Sequence, residues 1–205
     1  MRICIGVFAS LFMMSAVGAA GIITFDDLNT RNNFDALGIS NTYQGYIWTH
    51  SGAIGEGWAV ATVSDPGFAP GPTPVSGQSY GWNWNGVQSL FITFPTLQSV
   101  NGAYFATLSS GYDGNASSIT MFGYDASDAL IASSSPLILS NTFQFLTASF
   151  SGIKTLEIRA NGAEAWFSVD NIEVSEGSTV PEPSTFSMLA FVAISIAWRV
   201  KRRVP

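Results

Sequence analysis

Short stretches of alternating apolar and polar residues run along the middle of the chain and predict β-strands. In residues 22–28, for example, Ile23 and Phe25 alternate with Thr24 and Asp26, and a period of two places alternate side chains on opposite faces of a sheet. No stretch between residues 21 and 179 keeps the spacing of an amphipathic helix. The strands predicted in this way are 22–28, 43–49, 58–63, 80–85, 90–94, 100–108, 118–124, 129–133, 142–150, 154–160 and 165–174.

Turn-forming residues separate the predicted strands. Residues 125–128, Asp-Ala-Ser-Asp, are expected to close a hairpin, and Pro95 is expected to end strand 90–94. Residues 64–78 contain four prolines and several glycines, which predict a long surface loop. Many short strands with turns between them indicate an all-β fold, an antiparallel β-sandwich. We expect jelly-roll topology, with the first and last strands as neighbours.

The N-terminus has the three parts of a secretory signal peptide. Met1-Arg2 is a short basic segment, residues 3–17 are apolar, and residues 18–21 are small. We therefore predict that residues 1–20 direct export through the Sec machinery and are removed by signal peptidase. Cys4, the single cysteine, lies in this segment, so the mature chain has no disulfide and no thiolate.

The C-terminal residues 180–205 have a different three-part order. Residues 186–198 are an apolar run, shorter than the ~20 residues that span a bilayer comfortably, and we predict a marginal membrane helix there. The prolines before it favour an extended, accessible backbone. The cations after it are expected to stay cytoplasmic. The residues of this predicted signal are Val180, Pro181, Glu182, Pro183, Arg199, Lys201, Arg202 and Arg203.

This order, with Pro181, Glu182 and Pro183 at its start, resembles the PEP-CTERM sorting signal of exported Gram-negative proteins. The same kind of tail is also named after ice-binding proteins that carry it. The resemblance implies that an exosortase, an integral-membrane cysteine transpeptidase, recognises Pro-Glu-Pro and cleaves nearby. The protein would then be anchored in the inner membrane transiently and would end at the cell surface or outside the cell.

The body, residues 21–179, is long enough for one domain with a full core. Its segments ITFDDL, YQGYIW, ITMFGYDASDALIAS, FSGIKTLEI and FSVDNIEV resemble exported β-sandwich domains that precede PEP-CTERM tails. Those domains are similar to galactose-binding-like and carbohydrate-binding jelly rolls. The resemblance implies a fold more than a function.

Charge is distributed unevenly between the body and the two ends. The whole chain has a net charge of −6 with eight basic residues, but the body holds three of these and thirteen of the fourteen acids, for a net charge of −10. Such a surface repels phosphate backbones, so nucleic acid is not expected as a partner. It suits an exported protein that binds calcium or uncharged sugars.

Catalytic motifs are weak in this sequence. His50 is the single histidine, no Gly-x-Ser-x-Gly motif is present, and one histidine without cysteine does not make a zinc site. We therefore predict no enzymatic activity. The alternative is a secreted carbohydrate-active enzyme with paired carboxylates, although the sequence favours no particular pair.

Aromatic residues next to the long loop suggest polysaccharide binding. Trp82 and Trp84 alternate with Asn83, and Trp48 lies in an earlier strand. A spacing of two puts Trp82 and Trp84 on one face, where exposed indoles would stack on sugar rings and Asn83 would bind hydroxyls. The alternative is that these aromatic residues belong to the core.

Three aspartates suggest structural calcium. Asp26 and Asp27 lie in the first predicted strand and Asp170 in the last, so pairing of these strands would bring their oxygens together. In the carbohydrate-binding jelly rolls that the body resembles, a structural calcium commonly lies near such strand ends. The alternative is that the aspartates are edge charges or bind loops.

Overall fold

The computed structural model describes residues 21–28, 41–52, 57–63, 71–108, 114–162 and 165–176. These residues form eleven strands, and none of them lies in a helix that could cross a membrane. The predicted signal peptide and sorting signal lie outside the described residues. The strands are β1 Gly21–Ile23, β2 Asn41–Tyr43, β3 Tyr46–His50, β4 Gly57–Thr62, β5 Ser79–Trp84, β6 Ser89–Thr107, β7 Ser118–Tyr124, β8 Leu130–Ser133, β9 Leu137–Ile138, β10 Gln144–Asn161 and β11 Phe167–Glu176.

The strands pair antiparallel in two layers that share the long strands β6 and β10. The central order is β4-β5-β11-β6-β10-β7-β8, while β1 pairs with β11, β3 with β2 and β6, and β9 with β7. The first layer contains β1, β4, β5, β11, residues 98–107 of β6 and residues 144–153 of β10. The second layer contains β2, β3, residues 89–93 of β6, residues 155–161 of β10, and β7, β8 and β9. This arrangement confirms the predicted all-β antiparallel fold.

The core lies between the inner faces of the two layers. Leu90, Ile92 and Phe94 of β6 are fully buried, as the alternation predicts. On the first layer, Phe105 and Phe167 are also fully buried, with ring centroids 6.2 Å apart. The residues that alternate with these buried ones face outward. In the second layer they form the outer surface of the sandwich.

Two local predictions are confirmed. Residues 21–23 of β1 pair with residues 172–174 of β11, so the first and last strands are neighbours. The hairpin between β7 and β8 closes at residues 125–128, where Asp128 has a φ of 61°. Asp125 Oδ1 stabilises this turn because it accepts hydrogen bonds from the amides of Ser127, at 2.8 Å, and Ala129, at 3.0 Å.

Pro95 does not end a strand, which corrects the prediction. β6 continues through it, and the pairing with β10 jumps from Thr93↔Thr155 to Gln98↔Ile153. The missing amide hydrogen of Pro95 therefore falls where the strand passes from one layer to the other and no ladder bond is required. β10 also passes from one layer to the other, so predicted strands 142–150 and 154–160 form a single strand.

The N-terminal strands are shorter than the alternation suggests. β1 ends at Ile23, and Phe25, with a φ of 63°, turns the chain so that Asp26 and Asp27 lie in a turn rather than in a strand. Predicted strand 43–49 is a hairpin of β2 and β3, because Gln44 and Gly45 adopt positive φ values of 51° and 77°. The two-residue strand β9 was not predicted.

Candidate functional site

A groove lies on the outer face of the second layer. Its volume is about 460 Å³, within the range of small-molecule and glycan sites. β3, β6, β7 and β10 form its floor, and the β7–β8 turn contributes one wall residue. The lining residues are Thr49, Phe91, Thr93, Tyr124, Asp128, Thr155, Glu157 and Arg159.

Strand register places the floor residues in rows across the sheet. Thr93, Thr155 and Tyr124 are direct partners across β6, β10 and β7. The hydroxyl oxygens of Thr93 and Thr155 are 3.3 Å apart. The neighbouring row places Phe91 opposite Glu157. The floor therefore combines hydroxyl groups with aromatic rings.

Glu157 is the most highly connected residue of the groove. Its side chain is 2% exposed, and its carboxylate accepts hydrogen bonds from Arg159 Nε and Nη2, each at 2.8 Å. Ser89 Oγ donates to Oε1 at 2.7 Å, and the Tyr124 hydroxyl donates to Oε2 at 2.6 Å. Both carboxylate oxygens are thus satisfied, and the network fixes the position of Arg159 and Tyr124.

The network also determines the charge states of Glu157 and Arg159. Burial alone would raise the pKa of Glu157, but hydrogen bonds from Arg159, Tyr124 and Ser89 and the charge of Arg159 lower it below its ordinary value. The hydrogen bond to Glu157 raises the pKa of Arg159. Both groups are therefore charged at neutral pH, and together they contribute no net charge.

Arg159 reaches from the network to the rim of the groove. Its guanidinium carbon lies 4.4 Å from the centroid of the Phe122 ring, and its side chain is 45% exposed. Stacking on Phe122 and pairing with Glu157 hold the planar group in one orientation. The arrangement presents fixed donors to a ligand without adding net positive charge.

The prediction that Trp82 and Trp84 form an exposed platform is wrong. Trp82 is 1% exposed, and its ring packs against Trp84, at 5.2 Å between centroids, and Trp166, at 5.5 Å. Trp82 and Trp84 do lie on one face of β5, as the spacing predicts, but this face is covered and Trp84 is half-buried. The alternative interpretation, that these aromatic residues pack inside the protein, agrees with the structure.

Asn83 and Trp48 are buried as well. Asn83 Nδ2 donates to the carbonyls of Val87, at 2.8 Å, and Ala165, at 2.7 Å, while its Oδ1 accepts from the Phe167 amide at 2.7 Å. Trp48 is 0% exposed and packs in the core. Neither side chain is available to a sugar, because the fold itself uses their polar and apolar surfaces.

The three predicted calcium ligands have different hydrogen-bond partners in the structure. Asp27 Oδ1 accepts a hydrogen bond from the Tyr43 hydroxyl. Asp26 instead lies toward β5, where its Oδ1 accepts from the amides of Gln78, at 2.8 Å, and Ser79, at 3.1 Å. Among the described residues, no group of three or more His, Cys, Asp and Glu side chains has metal-site geometry.

Asp170 is fully buried and binds the segment that precedes β5. Its Oδ2 accepts from the amides of Val75, at 2.8 Å, and Ser76, at 3.3 Å, and its Oδ1 from the Asn171 amide at 2.7 Å. Burial raises its pKa to about 6, although these hydrogen bonds oppose the shift. Asp26 and Asp170 thus both bind the segment before β5, which agrees with the alternative prediction that these aspartates bind loops.

Sequence reasoning missed the groove itself. A signal for it was present: Glu157 and Arg159 are two apart in a predicted strand, and so share a face, and Arg159 is one of three cations in the body. The sequence pattern did not predict the strand order that places β3, β6, β7 and β10 next to one another.

The comparisons with solved structures agree with an all-β sandwich domain. A DUF4465 family protein from Bacteroides caccae matches with a TM-score of 0.56 at 13% identity, over 77% of this chain and 99% of that one. At such low identity the likeness shows the fold alone. No curated protein sequence matches the chain significantly.

Two weaker structural likenesses have TM-scores below 0.5. The CBM22-1 xylan-binding domain of Xyn10C from Paenibacillus barcinonensis matches with a TM-score of 0.46 at 11% identity, over 80% of this chain and 98% of that one. The K3 cleaved adhesin domain of Lys-gingipain from Porphyromonas gingivalis matches with a TM-score of 0.44 at 11% identity, over 76% and 98%.

Residues 179–203 match the family model for the PEP-CTERM protein-sorting motif. The chain therefore carries this motif, which confirms the resemblance drawn from Pro181, Glu182 and Pro183. The motif implies recognition by an exosortase, export, and processing while the protein is anchored in the membrane.

Proposed function

We propose that the mature protein is a non-enzymatic, exported polysaccharide-binding protein that acts at the cell surface or in the extracellular matrix. The observation that carries this proposal is the groove on the second layer, with hydroxyl groups, aromatic rings and the fixed Arg159–Glu157 pair on its floor. The sorting motif supports the proposal because it directs the protein to the side of the membrane where such polymers are found.

The chemistry of the floor favours an uncharged glycan. Phe91 and Tyr124 offer ring surface to the C–H faces of sugars, while Thr93 and Thr155 offer hydroxyl groups. Glu157 neutralises Arg159, and the body as a whole has a net charge of −10. An anionic polymer would therefore meet repulsion at a groove whose lining cation, Arg159, is already paired with Glu157.

A second candidate is a glycoside hydrolase, since two carboxylates, Asp128 and Glu157, line the same groove. A general acid in such an enzyme needs a raised pKa. The pKa of Glu157 is instead lowered, and its oxygens are occupied by Arg159, Tyr124 and Ser89. These contacts favour binding over hydrolysis.

A panel of immobilised polysaccharides tests the two candidates together. Hydroxyethylcellulose, galactomannan and laminarin represent neutral polymers, and alginate represents an anionic one. We expect retention on at least one neutral polymer, none on alginate, and no release of reducing sugar. Turnover that disappears in Asp128→Asn or Glu157→Gln would establish the hydrolase instead, and the absence of any retention would contradict the binding function.

A further inference from the structure

An aromatic pair lies on the outer face of the first layer, on the side of the sandwich opposite the groove. Tyr104 of β6 and Phe145 of β10 are direct strand partners, with ring centroids 4.9 Å apart. Their neighbours in the same strands, Phe105 and Leu146, point into the core. Tyr104 and Phe145 therefore face outward, and Phe145 is 37% exposed.

Gly102 allows the Phe145 ring to lie against the sheet. A Cβ at position 102 would be 2.5 Å from Phe145 Cζ and 2.3 Å from the Leu146 carbonyl oxygen. No side chain other than hydrogen fits there, because the ring covers the backbone of the next strand. The ring edge is thus supported from below while part of its surface stays open to solvent.

The segments of β6 and β10 that hold this pair carry no charged side chain. Residues 66–112 and 129–153 contain no Asp, Glu, Lys or Arg, although the body has a net charge of −10. Thr147, opposite Gly102, adds an exposed hydroxyl group beside the rings. On the β11 side, the buried Asp170 pairs with Tyr104 and Glu173 pairs with Gly102.

We propose that this patch, defined by Tyr104, Phe145, Gly102 and Thr147, is a second binding surface for an uncharged polysaccharide. It rests on the proposed function of the groove. Open aromatic rings, a hydroxyl group and a bordering carboxylate acceptor suit sugar C–H faces and hydroxyls, while the strand segments around the rings hold no cation that would attract an anionic polymer. One domain would then hold two polymer chains on opposite faces and bridge them.

Bridging has a thermodynamic consequence that simple binding lacks. Two sites that engage the same polymer network raise the apparent affinity well above that of either site, without a new contact. A protein with only the groove would coat a polymer. A protein with both surfaces would cross-link it.

A capture assay tests the second surface. The full mature domain is bound to immobilised galactomannan, hydroxyethylcellulose or laminarin, washed, and then exposed to the same polymer in fluorescent, soluble form. We expect the wild type to capture the soluble polymer and Phe145→Ala to lose capture by about tenfold while it stays bound to the surface. Phe145→Trp, which keeps a ring, should restore capture, and Ile138→Ser, at an exposed apolar site on β9, should not alter it.

The outcomes separate the two proposals. Retention on the surface without capture would overturn the second site and leave the groove function intact. No retention at all would remove both. Light scattering provides a further criterion: a wild-type dimer that Phe145→Ala dissociates would show that the patch is a self-interface, and this would overturn the proposal.

Discussion

Glu157 and Arg159, two residues apart on β10, form a parallel pair in which Nε–Oε1 and Nη2–Oε2 are both 2.8 Å. Residues at this spacing share one face of a strand, so the pair lies within a single sheet surface and needs no second element. The carboxylate of Glu157 is buried, whereas the guanidinium group of Arg159 reaches solvent. The groove thus gains an oriented guanidinium group without gaining net charge.

Glu157→Gln should destabilise the protein. The substitution removes the charge from a buried acceptor and faces an amide nitrogen toward one of its donors, which we expect to lower the free energy of unfolding by about 2 kcal/mol. Because the pKa of Glu157 is lowered in the folded state, its stabilising contribution is present above its unfolded pKa and is lost as the pH falls through the folded value. Urea denaturation at pH 7 measures the effect.

Glu176→Gln is the matched control for this substitution. Glu176 is exposed at the end of β11, so the same chemical change should cost less than about 0.5 kcal/mol. Equal effects of the two substitutions would show that the Glu157 network does not stabilise the fold.

Asp170 should give the opposite pH dependence. Its pKa is raised from 3.8 to about 6, chiefly by burial, so the folded protein binds this proton more tightly than the unfolded chain does. The stabilisation of the fold by this tighter proton binding is complete below pH 3.8 and is lost as the pH rises through about 6. The rise of the pKa from 3.8 to about 6 corresponds to roughly 3 kcal/mol.

Asp170→Asn removes this titration, and urea denaturation from pH 4 to 7 with a chelator present measures it. The stability difference, wild type minus variant, should fall as the pH rises. Asp125, whose pKa is lowered from 3.8 by hydrogen bonds from Ser127 and Ala129, provides the control, because it titrates below this pH range and Asp125→Asn should give a difference that changes little from pH 4 to 7. A difference that is constant with pH for Asp170→Asn would contradict the shift.

The calcium requirement remains a prediction from the sequence. Asp26 and Asp170 both bind the loop before β5 through amide hydrogen bonds, so a cation would have to use the remaining lone pairs of these carboxylates. If it binds the native state alone, a hundredfold excess over Kd stabilises the fold by about 2.7 kcal/mol. Melting curves with calcium and with EDTA measure this, and identical curves would contradict a structural calcium.

Period-two patterning was sufficient to predict the fold class. The alternation of Leu90, Ile92 and Phe94 gave the inner face correctly, because burial follows directly from apolar side chains on one face of a strand. The turn at residues 125–128 was also predictable, since Asp125 stabilises it through local hydrogen bonds. Such features depend on contacts within a few residues.

Features that depend on distant contacts were not predictable. Trp82 has the local pattern of an exposed platform but is covered by packing against Trp166, more than eighty residues away. Pro95 has the local chemistry of a strand end but falls at the passage between layers. The spacing of Glu157 and Arg159 is a local signal, but the groove itself was not predictable, because its residues come from four strands whose order no single strand encodes.

The tail should be a processing signal. Residues 179–203 match the sorting motif, and Pro181, Glu182 and Pro183 form the part of it that an exosortase is expected to recognise. Mass spectrometry of the protein released by its native host should find a C-terminus near this motif. Intact protein ending at Pro205 in the extracellular fraction would contradict processing.

Titration calorimetry with soluble neutral polysaccharide tests polysaccharide binding by the groove most directly. Phe91→Ala and Tyr124→Ala should each weaken binding about tenfold, equivalent to about 1.4 kcal/mol, because each removes a ring from the groove. Trp84→Ala, on the first layer, should leave the affinity of this site unchanged once folding is verified. Wild-type affinity in both groove variants, or loss of binding in Trp84→Ala alone, would contradict the account.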